Sequence, residues 1–263
     1  MAKLIDITGK AISGEWGTDD TEGIGIPVLR TTNFTNEGIV DYANVVTRQI
    51  NKKDISKKML RHGDIIIEKS GGSDKQPVGR VIFFEGENNK YLFNNFTGLL
   101  RVKNVEKWIP KYVFYVLYAN YLNGGTKRFE NRTTGLHNLQ TDSYVENTQI
   151  PDVLLKEQEK IVFMLDKIFG LIRKQNKTLD LLDKLVKSRF TELFNGKGYL
   201  VLKWNDVFNT TTGKLDSNAA VDGGEYPFFT CSKEVLRIDK YAFEQEVLLL
   251  AGNNAAGKYD VKY

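Results

Sequence analysis

Lys156 to Phe194 reads KEQEKIVFMLDKIFGLIRKQNKTLDLLDKLVKSRFTELF, a stretch without proline and with one glycine, Gly170. Apolar residues recur in it at alternating spacings of four and three: Ile161, Leu165, Ile168, Ile172, Leu179, Leu182, Val186 and Leu193. Gln175 and Arg189 are the two interruptions of the series. This near-heptad pattern predicts one long helix with an apolar seam. About 38 residues at 1.5 Å each make a rod of roughly 57 Å. A lone helix of that length cannot bury its stripe against a small domain, so the pattern predicts pairing with a second helix; the plainer reading, a long amphipathic core helix, stays open. Asn195-Gly196 closes the element.

Upstream, residues 1–153 read as mixed α/β with strands dominating. Gly25-Ile-Pro-Val-Leu29, Gly63-Asp-Ile-Ile-Ile-Glu68, Val78 to Phe84 and a pair within Tyr91 to Val102 are β-branched or apolar runs bounded by turn residues. Trp108 to Tyr121 carries helical spacing behind Pro110, which predicts a helix over about 110–122 ended by Asn123-Gly-Gly125. A polar stretch, Thr126 to Thr141, precedes an exit strand expected around Val145 to Ile150.

Downstream, residues 197–263 begin again like the start of the chain. Lys203-Trp-Asn-Asp-Val207 echoes Lys3-Leu-Ile-Asp-Ile7, Tyr226-Pro-Phe-Phe-Thr230 takes the place of Ile26-Pro-Val-Leu-Arg30, and Glu246-Val-Leu-Leu-Leu250 that of Asp64-Ile-Ile-Ile-Glu68. The expectation is an internal repeat whose second copy is shortened, with three zones at 1–153, 154–196 and 197–263. The fold class is α+β: a strand-rich domain, a coiled-coil-type helix and part of a second strand-rich domain.

The chain is 263 residues, 41% hydrophobic and 27% charged, an ordinary globular composition. One cysteine, Cys231, leaves no disulfide framework or Cys-based zinc cluster, and two histidines, His62 and His137, make a His-rich metal site a poor expectation. No apolar run reaches the roughly 18–20 residues of a membrane span, and MAKLIDITGK is too polar for a signal peptide. A cytoplasmic chain is expected. The net charge is +4, with no polybasic tail, so any nucleic-acid surface has to be assembled by folding scattered cations onto one face.

The order of these features resembles the specificity subunit of a type I restriction–modification system. The residues that carry the resemblance are Ile26-Pro-Val-Leu-Arg-Thr-Thr-Asn33, Leu60-Arg-His-Gly-Asp-Ile-Ile-Ile67, Val78-Gly-Arg-Val81, and Ile150-Pro-Asp-Val-Leu-Leu-Lys-Glu-Gln-Glu-Lys-Ile161 running into the helix. Gly224-Glu-Tyr-Pro-Phe-Phe-Thr-Cys-Ser232 and Tyr241-Ala-Phe243 through Gly252-Asn253 carry it in the second copy. The resemblance implies target recognition domains that each grasp half of a split double-stranded DNA site, and helices that separate the halves. It also implies modification (methyltransferase) subunits and a restriction subunit as partners. S-adenosylmethionine, ATP and Mg would be held only by those partners, with no cofactor on this chain. With one long helix present, a homodimer through that helix is an alternative, as is a coiled-coil adaptor binding only protein.

The inventory of chemical motifs agrees with a non-catalytic chain. There is no G-x-G-x-x-G behind a strand, no G-x-x-x-x-G-K-[ST] loop, and no Asn/Asp-Pro-Pro-aromatic tetrapeptide. Asp64, Glu68 and Lys69 match a nuclease cluster in composition only, since Glu68 and Lys69 point to opposite faces of a strand. For DNA contact the foremost candidates are Lys69, Ser70, Gly71, Gly72, Ser73, Lys75 and Gln76: glycines allow close approach, lysines neutralise phosphate, and Gln76 suits adenine. The bland alternative is a surface hairpin. A second set is Lys127, Arg128, Arg132, Thr133, Thr134, His137 and Asn138, or else a solvated loop anchored by Phe129 and Leu136. A third is Arg30, Thr31, Thr32 and Asn33, where Arg30 serves either guanine recognition or a structural ion pair. Asn94, Asn95 and Thr97 are polar groups near a strand end, and Gly14-Glu-Trp-Gly17 is either a DNA-facing loop or a Trp-capped turn.

Overall fold

Three consecutive isoleucines, Ile65-Ile66-Ile67, explain the layering of the first domain. Side chains alternate across a strand, and here both faces are covered: Ile65 and Ile67 join one core cluster and Ile66 another, all three with no exposed surface. The computed structural model describes residues 1–52, 54–74, 76–131, 137–231 and 234–250. The chain divides into two compact units, 1–186 and 187–263.

The first unit runs β1 (Ala2–Lys3), α1 (Leu4–Thr8), β2 (Ile12–Ser13), β3 (Thr18–Asp19), β4 (Ile26–Leu29), β5 (Val46–Gln49), β6 (Ile65–Glu68), β7 (Ser70–Gly72), β8 (Val81–Phe83), β9 (Leu92–Phe93) and β10 (Thr97–Leu100). It continues with α2 (Pro110–Leu122), β11 (Glu130–Asn131), β12 (His137–Leu139), α3 (Thr141–Asn147), β13 (Gln149–Ile150) and the long α4 (Leu155–Phe194). An antiparallel sheet in the order β2-β10-β6-β8 forms the middle layer. Helix α2 covers one face, where Tyr112, Val113, Phe114, Leu117 and Tyr118 meet Ile65, Ile67 and Phe83. A second sheet, β3-β5-β4-β9, supplies Leu29 and Phe93 to the cluster on the other face. The fold is α+β, as the sequence pattern indicated.

Helix α2 occupies the span expected, with Pro110 in its first turn and Gly124 at φ 74 after its end. The exit region differs from expectation. Val145 lies in helix α3, where it is buried beside Tyr144, and only Gln149–Ile150 is extended, pairing with β1. One turn of helix lets both Tyr144 and Val145 face the core, which an alternating strand cannot do.

Helix α4 begins on a buried polar residue. Gln158 has no exposed surface; its Oε1 accepts from the Ile109 N–H at 2.9 Å. Its Nε2 donates to the Lys107 and Val153 carbonyls at 3.0 and 3.1 Å. One side chain thereby ties the start of α2 to the start of α4. Ile161, Val162, Leu165 and Phe169 then pack against the domain core, so the first two seam residues are used within the chain. Phe169 stacks on Tyr115 with centroids 5.6 Å apart, and the Tyr115 hydroxyl donates to Asp166 Oδ1 at 2.5 Å. Burial and the Asp166 carboxylate both raise the Tyr115 pKa above the usual tyrosine value. The later seam residues Ile168, Ile172, Leu179, Leu182, Val186 and Leu193 are 43–69% exposed.

The second unit contains α5 (Trp204–Val207), β14 (Tyr226–Phe228) and β15 (Leu236–Ile238). The repeat is visible in its geometry. Lys203 precedes α5 at φ −73, ψ 150, as Lys3 precedes α1 at φ −74, ψ 140. Gly223 at φ 77 matches Gly23 at φ 74, both in the left-handed region that favours glycine. The β14–β15 hairpin pairs Pro227 with Arg237, as Pro27 pairs with Thr47 in the first copy. Glu246–Leu250, expected as the counterpart of β6, forms no strand, and Val247 to Leu250 are 51–73% exposed. Gly252 and Asn253 lie outside the described residues. β6 lies between β8 and β10, whereas β14 pairs with β15 alone among the described residues. An apolar run becomes a strand only when neighbours satisfy its N–H and C=O groups.

Gln158→Leu leaves one N–H and two carbonyls without their partner and should lower the stability of the chain by about 2–4 kcal/mol, read as a shift of the urea unfolding midpoint with an unchanged slope.

Candidate nucleic-acid interface

Strand β6 ends on Glu68, a carboxylate whose side chain is 1% exposed. A carboxylate that deep needs a partner, and Arg80 supplies one in fork geometry: Nε donates to Oε2 and Nη2 to Oε1, both at 3.0 Å. The same guanidinium donates to the Thr31 carbonyl at 3.2 Å and the Phe34 carbonyl at 3.3 Å. Arg80 thus joins the end of β6 to the loop that follows β4. At the other end of the strand, Arg101 grips Asp64 in the same way, at 2.7 and 2.6 Å, and also donates to the Met59 carbonyl at 2.8 Å. Asp64 and Glu68 are therefore structural anchors, with all four carboxylate oxygens held by arginine.

Around the Glu68–Arg80 pair, loops distant in sequence come together. In the first, Thr31–Asn33 forms a single 3-10 turn. Asn33 is buried; its Oδ1 accepts from the Arg30 N–H at 3.0 Å and its Nδ2 donates to the Asp41 and Ala43 carbonyls at 3.0 and 3.3 Å. Arg30 Nη2 donates to the Asn44 carbonyl at 3.2 Å, so Arg30 braces this loop through a backbone carbonyl. Thr31 is half-buried and Thr32 is exposed.

The second loop follows β6 directly. Ser70, Gly71 and Gly72 are strand β7 rather than an irregular glycine loop. A Cβ on Gly72 would lie 2.5 Å from the Val78 backbone nitrogen, which accounts for glycine there. The Lys69 ammonium donates to Ser13 Oγ at 3.0 Å, and burial holds its pKa below the ordinary lysine value. Ser73 is exposed, and Gln76 Nε2 donates to Asn36 Oδ1 at 2.9 Å. Lys75 lies outside the described residues.

The third element joins the first two candidate sets into one surface. β7 pairs with β12 and β12 with β11, a three-stranded sheet in which Gly72 faces His137, Ser70 faces Asn138, and Asn131 faces Asn138. Lys127 and Arg128 lie exposed on the 3-10 turn immediately before β11, with the Arg128 guanidinium 4.7 Å from the centroid of the buried Phe129 ring. His137 is half-buried with Nδ1 against the Glu130 carboxylate. Asn138 is half-buried. Arg132, Thr133, Thr134 and Leu136 lie outside the described residues.

A fourth loop completes the cluster. Asn94 to Thr97 is a tight turn: the Asn94 N–H donates to the Leu29 carbonyl at 2.9 Å, and Thr97 N–H and Oγ1 donate to the Asn94 carbonyl at 3.1 and 2.8 Å. The carbonyl of Phe96 accepts from both the Lys69 and Ser70 N–H groups, at 2.8 and 3.2 Å. Asn94 and Thr97 are buried scaffolding, and the turn exposes Asn95 and Phe96. Gly14-Glu-Trp-Gly17 packs as a Trp-capped turn: the Arg48 guanidinium lies 4.3 Å from the Trp16 ring centroid and Nε donates to the Trp16 carbonyl at 3.1 Å. Glu15 in it binds Lys52 and Lys58 at 2.6 and 2.8 Å, and those two cations lower its pKa.

Sequence reasoning offers three of these four segments for DNA contact, names Asn94, Asn95 and Thr97 of the fourth as polar groups near a strand end, and misses what holds them together. The signal for Glu68 is present: a carboxylate ending a run of three apolar β-branched residues is buried along with them unless the strand stops, and a buried carboxylate calls for an arginine. Which arginine is not legible, because Arg80 reaches it from across a hairpin.

Fold and surface together define the class: a domain in which the Glu68–Arg80 pair and the β7-β12-β11 sheet join polar and cationic loops, anchored to a long helix with an exposed apolar stripe. Residues 1–182 match the family described as the type I restriction modification DNA specificity domain, and the chain belongs to that family. A specificity subunit of the type I restriction enzyme EcoDI from Escherichia coli is 43% identical over 70 residues, 25% of this chain and 15% of its own length. A putative type I restriction enzyme MjaX specificity subunit from Methanocaldococcus jannaschii is 26% identical over 194 residues, 74% of this chain and 45% of its own. A solved structure of complex assembly and conformational transition of the type I R-M system shares the fold at TM-score 0.51 with 20% identity, covering 74% of this chain and 45% of that one. The chain thus spans less than half the length of these relatives. No helix among the described residues is long and apolar enough to cross a membrane.

Removing one partner of a buried ion pair strands the other, so Glu68→Ala should cost about 3–5 kcal/mol. The solvent-exposed pair Lys107–Asp152, at 3.1 Å, provides the contrast: Asp152→Ala should cost under about 1 kcal/mol. Chemical denaturation of the two variants side by side checks the difference.

Proposed function

We propose that this chain is a sequence-specific DNA-binding specificity subunit that directs methyltransferase and restriction subunits to a split double-stranded site and is itself non-catalytic. The observation that carries the reading is the convergence of Lys69, Thr32 and the Lys127-Arg128 turn, through β7, β12 and the Glu68–Arg80 pair, onto one assembly of loops. Cations and hydroxyls on such loops meet phosphates, and backbone N–H groups near Gly71 and Gly72 allow close approach. Lys75, Arg132, Thr133 and Thr134, close to these residues in the sequence, are proposed contacts with them. His137 and Asn138 are proposed at the base-facing side, whereas Asn33 acts by holding the loop rather than by touching DNA. S-adenosylmethionine, ATP and Mg belong, on this reading, to the partner subunits, and the complex works in the cytoplasm.

Duplex binding of this kind falls steeply with salt, with a slope near −0.9 per phosphate contact. Lys69→Ala or Arg128→Ala should weaken binding to all duplex sequences and reduce that slope by about 0.9, measured by fluorescence anisotropy between about 50 and 200 mM salt, the range over which such slopes are read. Wild-type binding that does not change with salt would sink the DNA reading in favour of an adaptor that binds only protein.

The exposed seam of α4 favours one further element, pairing of the helix with that of a second copy. Ile168, Ile172, Leu179, Leu182, Val186 and Leu193 form a stripe of coiled-coil spacing whose members are 43–69% exposed. Sedimentation should give a dimer mass for the wild type and a monomer for the Leu179→Glu, Leu182→Glu double variant. A wild-type monomer at micromolar concentration excludes the paired form.

A further inference from the structure

Among the described residues of the four converging loops, Phe96 is a large apolar side chain that remains in solvent, at 53% exposure, more than Tyr42 at 43%, the other such ring. Single exposed apolar residues are common and by themselves mean little. This one differs in how it is held. The turn around it is fixed on both sides by buried residues, Asn94 at 5% and Thr97 at 0% exposure, which bond to each other and to the Leu29 carbonyl. Its own carbonyl receives two N–H groups, from Lys69 and Ser70, so its backbone is locked beside the first phosphate-binding candidate. The pairing of Thr97 with Glu68 places Phe96 next in register to Lys69. A rigid turn thus presents an aromatic ring to water in the middle of a polar, cationic loop cluster. Charged phosphates offer little to such a ring. The apolar surface that duplex DNA presents is on its bases: the thymine methyl in the major groove, and base faces where a wedge opens a step.

We propose that Phe96 is a base-contacting, specificity-determining residue of this interface, an apolar reader set among the phosphate-binding loops. The inference rests on the DNA-binding reading given above. The backbone that carries the ring is held in place, so no loop has to be ordered when the ring meets a base.

The test uses the full chain. A pool of random duplexes is enriched with the wild type to obtain its binding motif. The affinities of wild type, Phe96→Ala and Phe96→Leu for the enriched duplex are then measured across a salt series. Phe96→Ala is expected to lose about tenfold in affinity for that duplex, the size of a lost base contact, with an unchanged salt slope, and to lose preference at one or two adjacent positions of the motif. Phe96→Leu should retain part of the affinity. Because the side chain is exposed, both variants should keep the wild-type thermal midpoint; Phe96→Leu carries the test should Phe96→Ala be less stable. A Phe96→Ala variant with wild-type affinity and motif overturns the inference while leaving DNA binding intact, and so does one that changes the salt slope with no change of motif. Failure of the wild type to bind duplex DNA overturns both readings together.

Discussion

The bidentate contact between Glu68 and Arg80 organises the first domain at the point where the central sheet meets the polar loops. Glu68 belongs to the central strand by its backbone and to the loops by its charge. Its burial would be prohibitive if it were unpaired, and the guanidinium that compensates it has donors left over for the Thr31 and Phe34 carbonyls. Moving one residue of this set disturbs the others. Asp64 and Arg101 repeat the arrangement at the opposite end of β6, so the most apolar strand of the molecule is capped at both ends by fork-shaped ion pairs. Such pairs add little net stability compared with apolar replacements, but leaving one half alone is costly. That asymmetry makes them effective at specifying one arrangement of loops.

The rigidity continues into the helix. Gln158 joins the start of α4 to the start of α2 through three hydrogen bonds, and Phe169 and Asp166 extend the contact onto Tyr115. The first third of α4 is thereby part of the domain.

Particular residues show what is legible in advance. Pro110, the spacing of aromatic residues and Asn123-Gly124 delimit α2, because helix ends are written in local chemistry. The isoleucine run marks β6 for the same reason. Val145 sits in a helix where its sequence suggests a strand, because a short helix and a short strand can each bury one or two apolar residues, and only the packing of Tyr144 distinguishes them. Glu246–Leu250 has the composition of β6 and none of its structure, since composition cannot supply neighbouring strands. Phe96 carries no sequence signal of its role, because an apolar residue in a strand-like segment reads as core.

By itself the sequence determined the long helix, helix α2, the isoleucine strand β6, the repeat of the opening motifs after a 200-residue offset, and which segments were rich in cations and glycine. These are properties of local spacing and of residue type, and they need no knowledge of what lies nearby. The tertiary structure alone decided that β7 and β12 are neighbours, that Arg80 belongs to Glu68 and Arg101 to Asp64, and that Asn33 faces inward while Phe96 faces out. It also decided where the helix seam leaves the core and becomes free. Each of these depends on contacts between residues far apart in the chain, where burial and charge compensation, rather than periodicity, settle the outcome.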